Sequence, residues 1–329
     1  TMAKYLEYWK SILKKIRKEL DPAKPWPVSY LVNELEQLGE RDASGYNGYL
    51  RLWAGQADGR TASQVFADLE QAVMDDKTFL ALCPGKVEFR ITLNNTLTIT
   101  HQPLTPDDFI ERYKGLQGTE AAKAEVYKWK LVKANHDLWA QYESGELSFQ
   151  QYFLKLDFAN LVYPLAWGVM KEVAKAEPAA FEQLLLALYD ERTELLERLE
   201  TFRTAFAALY TKLPEHGVNA FMEGRTMAAL LTWRYPERYT IFKDSFYTPY
   251  CKALGIKPAK PGDKVPHYLD LVRALASEHI PRHPEVIAAR DAMLDATCYP
   301  DPKNMVLAQD ILYMTTRTMA DQEDDDLEA

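Results

Sequence analysis

A proline at position 236 divides the most informative stretch of this chain, GRTMAALLTWRYPERYTIFKDSFYTPYCKALG, residues 224–255. Met227, Leu230 and Leu231 recur at helical spacing ahead of it. A proline disfavours the helical conformation in the residue before it, so the helix has to stop near Tyr235. Tyr239, Phe242 and Lys243 then lead into a second helix that Gly255 closes. The spacing therefore predicts two short helices meeting at a rigid, aromatic corner.

Helical patterns continue on both sides. From Thr105 onward the chain reads as helix throughout, beginning with Thr105-Pro106-Asp107-Asp108: a hydroxyl cap, a proline at the first position and acids in the first turn. From Pro178 to Pro214, Leu195, Leu199, Phe202, Phe206, Leu209 and Leu213 repeat at spacings of four and three. That seam predicts one long helix, on the order of 50 Å at 1.5 Å per residue. Packing within a bundle explains the seam most simply, with contact between subunits as the other reading. Glu194 and Arg198, four apart, would pair on its solvent side.

The convincing β signal lies earlier, where VEFRITL and TLTITH alternate around Asn94-Asn95. Helices precede it, the first with Lys10, Lys14, Lys15, Arg17 and Lys18 on its polar face. Two readings of this unit stay open: a winged helix, or a small α+β cap with an ordinary hairpin. The expected fold is thus mainly α, a helical bundle with a small N-terminal α+β unit carrying one β-hairpin. Its divisions are 1–103, 104–320 with the long helix, and a disordered acidic tail over 321–329.

Charge and cysteine usage narrow the class. The net charge of −9 owes much to the last nine residues, whose six acids leave the remainder at −3. A phosphate-binding protein needs a local basic patch and not a basic whole. Cys83, Cys251 and Cys298 are few and widely spaced, which suits three reduced, buried thiols in a cytoplasmic protein. No run approaches the roughly 18–20 apolar residues of a membrane span.

Three stretches in order carry a family resemblance: VYKWKLVKANHDLW (126–139), the YP corner, and MVLAQDILYMTT (305–316). They resemble the region upstream of the motor in McrB-type AAA+ proteins of modification-dependent restriction systems. In that family a leucine-rich helix is followed by YP-x-x-Y-x-x-(Y/F)-K, matched here by Tyr235, Pro236, Tyr239, Phe242 and Lys243. The resemblance spans about residues 125–316 and does not reach residues 1–100. It implies DNA, modified bases included, as the partner, and an AAA+ motor in the same or another chain.

The chain departs from that family in one important respect. It has no G-x-x-x-x-G-K-(S/T) phosphate loop, since the Gly85-Lys86 pair lacks both the earlier glycine and the following hydroxyl. Nucleotide hydrolysis is therefore not expected, and no cofactor is implied. His279 and His283 are four apart but enclose Pro281, so a helical metal pair is not expected either. No glycine elbow surrounds a serine, and one hairpin offers too little sheet for a nuclease centre. What remains is basic residues mixed with aromatics, which can neutralise phosphates and stack on bases. The candidate nucleic-acid contacts are Arg225, Trp233, Arg234, Arg238, Tyr239 and Lys243, with Lys14 and Lys18 from the first helix. A helical scaffold for protein partners or for oligomerisation is the competing expectation.

Overall fold

The computed structural model describes the backbone of residues 103–327 and of the strands β1 (Pro25–Pro27), β2 (Lys86–Ile91) and β3 (Thr96–Gln102), with side chains over 103–317. The strands form an antiparallel sheet in the order β1-β3-β2, in which Phe89 faces Ile99 across the β2–β3 pair. The helices expected before the hairpin, with Lys14 and Lys18, lie outside the described residues. So do the side chains of the acidic tail.

The helices that follow build a compact unit of Thr105–Lys252 with Ile256–Thr316. They are α1 (Pro106–Lys114), α2 (Glu120–Ala124), α3 (Tyr127–Glu143), α4 (Phe149–Lys155), α5 (Pro164–Ala176) and α6 (Pro178–Leu188), then α7 (Leu195–Tyr210), α8 (Gly224–Arg234), α9 (Asp244–Ala253), α10 (Lys264–Ala274), α11 (Pro284–Met293) and α12 (Met305–Leu327). The described chain is mainly helical, and among the described residues no helix is long and apolar enough to cross a membrane.

Local chemistry sets several of the starts. At α1 the Thr105 hydroxyl accepts from the Asp108 amide while the Asp108 carboxylate accepts from the Thr105 amide, a capping box with Pro106 next in line. Ser148 and Gln151 repeat the device at α4. Three further helices, α5, α6 and α11, open with proline, which gives up no helical hydrogen bond there.

The single long helix predicted from Pro178 does not form. It is two helices, α6 and α7, joined by residues 189–194 and packed as an antiparallel hairpin in which Phe181 meets Phe206 at 5.3 Å. No proline or glycine marks the break. Asp190 makes it: its carboxylate accepts the Arg192 amide and pairs with the Arg192 guanidinium, a side-chain turn that competes with the helix. Arg198 completes it. This residue is buried, not on the solvent side, and it bonds Leu188 O, Thr193 O, Glu191 and the Tyr239 hydroxyl rather than Glu194. Its guanidinium thus satisfies the Leu188 carbonyl that the end of α6 leaves open and the Thr193 carbonyl of the connection. The seam itself is real, with Leu199, Phe202, Phe206 and Leu209 all buried within the unit.

At the centre lies α8. Eight consecutive residues, Thr226 to Trp233, are buried, so this helix has no solvent face and is a core helix, not an amphipathic one. Its small residues allow close approach: a Cβ at Gly224 would meet Val265 Cγ2 of α10 at 2.7 Å. Thr232 removes its own hydroxyl from competition by donating to Ala228 O. Helix α3 joins the three sequence landmarks. His136 of α3 bonds Trp233 O, and Lys128 of α3 bonds Gln309 and Asp310 of α12.

Candidate nucleic-acid interface

The YP corner is built as expected at the backbone. Helix α8 ends at Arg234, and the Tyr235 amide closes the last turn on Leu231 O at 2.8 Å. Pro236 follows and α9 begins at Asp244. Most side chains of the motif turn inward. Tyr235 donates to Tyr189 O at 2.7 Å, and Phe242 is buried against Tyr247 and Tyr268. The Tyr239 hydroxyl accepts from Arg198 and donates to Glu191, both at 3.0 Å.

Two of the sequence candidates are corrected by this packing. Trp233 is 0% exposed and Tyr239 is 2% exposed, so neither presents a ring face on which a base could stack. Mixed basic and aromatic residues read the same way in a binding groove and in a core corner, and here the aromatics went to the core. Arg225 also has structural work, donating to Leu161 O and Asn160 O at 2.9 Å. Lys243 reaches Asn160 O at 3.4 Å.

The remaining arginines gather on one face. Arg234 lies over the rings of Trp139 and Tyr235, at 4.9 and 4.2 Å, and Arg238 lies over Tyr235 at 4.8 Å. Arg273 arrives from α10, stacks over Tyr239 at 5.1 Å and donates to Arg238 O at 2.8 Å. Arg273 and Tyr235 were not among the sequence candidates. Arg273 is distant along the chain, and no local pattern singled it out. Of these arginines and Arg198, only Arg198 and Arg238 pair with carboxylates, Arg198 with Glu191 and Arg238 with Glu191 and Glu237. Arg238 is 52% exposed and pairs with them only at 3.6 Å, the loosest contacts of the group. Such a face offers planar, multiple donors of the kind that grip phosphate.

His279 and His283 are committed elsewhere. The end of α10 loosens into a wide turn and then a tight one around Pro281, which presents both imidazoles to Asp107 of α1, at 3.1 and 2.8 Å. No cluster of three or more His, Cys, Asp or Glu suited to a metal occurs among the described residues. Partial burial acts to raise the Asp107 pKa, but the hydrogen bonds from His283 and His279 and the His279 and Arg282 charges outweigh it, holding this carboxyl below its usual range. A depressed carboxylate contributes stability above its unfolded value, about 3.9, that is lost as pH falls through the folded value. Asp107→Asn is therefore expected to flatten the loss of stability below about pH 4, read from thermal melts across pH.

The chain matches no family model, no curated protein and no solved structure.

Proposed function

We propose that this chain is a non-catalytic DNA-recognition module of an McrB-like restriction or anti-phage defence system, acting in the cytoplasm for an AAA+ motor carried elsewhere. The observation that carries the reading is the arginine face, where Arg234 at the end of α8, Arg238 in the following turn and Arg273 of α10 come together around Tyr235 and Tyr239. Phosphate contacts of this kind supply affinity and position the duplex, while base contacts or base extrusion select the target. The ordered landmarks of the McrB-type region add to it, because all three pack against one another in one core. Residues 1–103 are read as a small α+β unit around the hairpin, in which Lys14 and Lys18 stay candidate contacts on sequence pattern.

One observation favours a second reading, a scaffold for protein partners: Tyr163 and Leu165 stand 44% and 52% exposed at the start of α5. Fluorescence anisotropy with short duplexes, methylated and unmethylated, separates the two. The DNA reading expects binding at low salt that Arg238→Ala with Arg273→Ala weakens. Absence of binding to every duplex leaves the scaffold.

A further inference from the structure

We propose that Arg225 and Lys243 form a seat for a single phosphate or sulfate-like oxyanion beside the Asn160 loop, separate from the arginine face and independent of it. The two side chains come from different elements, the first turn of α8 and the residue before α9, yet both donate to the same carbonyl, Asn160 O. Arg225 uses its Nε on Leu161 O and one Nη2 bond on Asn160 O, which leaves donors of its five-donor fork unspent. Lys243 spends one donor on a contact at the outer limit of a hydrogen bond.

The charge balance at this point differs from that of the fully buried cations. The most buried cations are Lys128, Arg198 and Arg290, and each is paired with a carboxylate: Asp310, Glu191 and Asp301 respectively. Arg225 and Lys243 are half-buried and make no ion pair among the described residues. The charges that face them are Lys128 and Glu125 for Lys243, and Glu223 for Arg225. Burial, then the Arg225 and Lys128 charges, push Lys243 down to about 8. Two like charges drawn together, with Glu125 and Glu223 acting on them but neither within ion-pair distance, are what a bound anion would relieve.

The Asn160 loop is held in place and open to solvent. Asn135 clamps Asp157 through both its backbone N–H and its C=O, and the Asp157 carboxylate holds the Ala159 amide, with Ala159 at φ +46°. Tyr127 donates to Asn160 Oδ1 at 2.9 Å, so the Asn160 amide N–H₂ is left to donate outward. Asn160 itself is exposed. An anion entering from solvent thus meets donors already held in place, which lowers the ordering cost of binding.

The test uses the full chain and sulfate, whose charge is constant near neutral pH. Sulfate is expected to bind and to shift the Asn160 amide and Arg225 Nε resonances, and Lys243→Gln is expected to weaken it about tenfold or more with an unchanged melting temperature. Arg238→Ala with Arg273→Ala should leave this binding intact. Anion binding favours the protonated lysine, so the wild-type affinity should also fall as pH rises through about 8. Inorganic phosphate and a short duplex then identify the source. A duplex that shifts the same resonances seats a nucleic-acid phosphate there, whereas phosphate alone doing so assigns a small free phosphate. No shift at Asn160 and Arg225 with sulfate, a Lys243→Gln affinity equal to wild type, or a pH-independent affinity would overturn the proposal.

Discussion

Asp310→Ala is expected to destabilise the helical unit by about 3–5 kcal/mol, one of the two largest single effects in this structure. Asp310 and Lys128 are 1% and 2% exposed and meet at 2.5 Å, far from water that could rehydrate a widowed charge. Asp310 also accepts from the Tyr113 hydroxyl, and Lys128 reaches Gln309 at 2.9 Å and lies over the Tyr313 ring at 4.9 Å. Removing the carboxylate therefore takes the shorter of two ion pairs from a buried ammonium, which keeps Glu125 at 3.3 Å, and the acceptor from a buried phenol, where α1, α3 and α12 meet. Tyr113 already shows the environment, since burial first and the Asp310 charge second push its pKa well up. Replacing both ions together, Lys128→Met with Asp310→Leu, should cost much less than the two single changes summed. A coupling of about 1–3 kcal/mol is expected from urea unfolding of the four proteins. Additive losses would mean that the two ions are solvated separately.

The second large effect concerns Trp233. Trp233→Ala removes a fully buried indole from the centre of the bundle and should cost about 3–5 kcal/mol. Trp233→Phe should cost clearly less, because Nε1 has no hydrogen-bond partner among the described residues and only volume is lost. DNA affinity is expected to be the same for Trp233→Phe and wild type, measured on folded protein. A large affinity loss in that variant, with stability retained, would return Trp233 to the binding surface.

These expectations also show which features were legible. The YP corner could be read because proline and glycine act on the residues beside them, and the Thr105 cap because its partners are three residues away. The α6–α7 break could not. Residues 189–194 carry no proline or glycine to signal an end, and the side chain that stabilises the break, Arg198, looks like an ordinary solvent-side partner of Glu194. Trp233 and Tyr239 misled for a related reason: aromatic identity says that a ring needs a partner, while its neighbours in the fold decide whether that partner is a base or another ring. Spacing placed Met227, Leu230 and Leu231 on one face of α8, but burial all round the helix depends on which helices surround it. The arginine face was half visible, since Arg234 and Arg238 are local to the motif and Arg273 is supplied by α10.

The claim at the centre is that the arginines of this corner, exposed Arg238 with half-buried Arg234 and Arg273, and not its aromatics, meet a phosphate backbone. The most direct measurement is the slope of log affinity against log salt for a short duplex, compared between wild type and Arg234→Ala/Arg238→Ala/Arg273→Ala. Three phosphate contacts predict that the variant loses about 2–3 units of slope. A slope that the triple substitution leaves unchanged would contradict it.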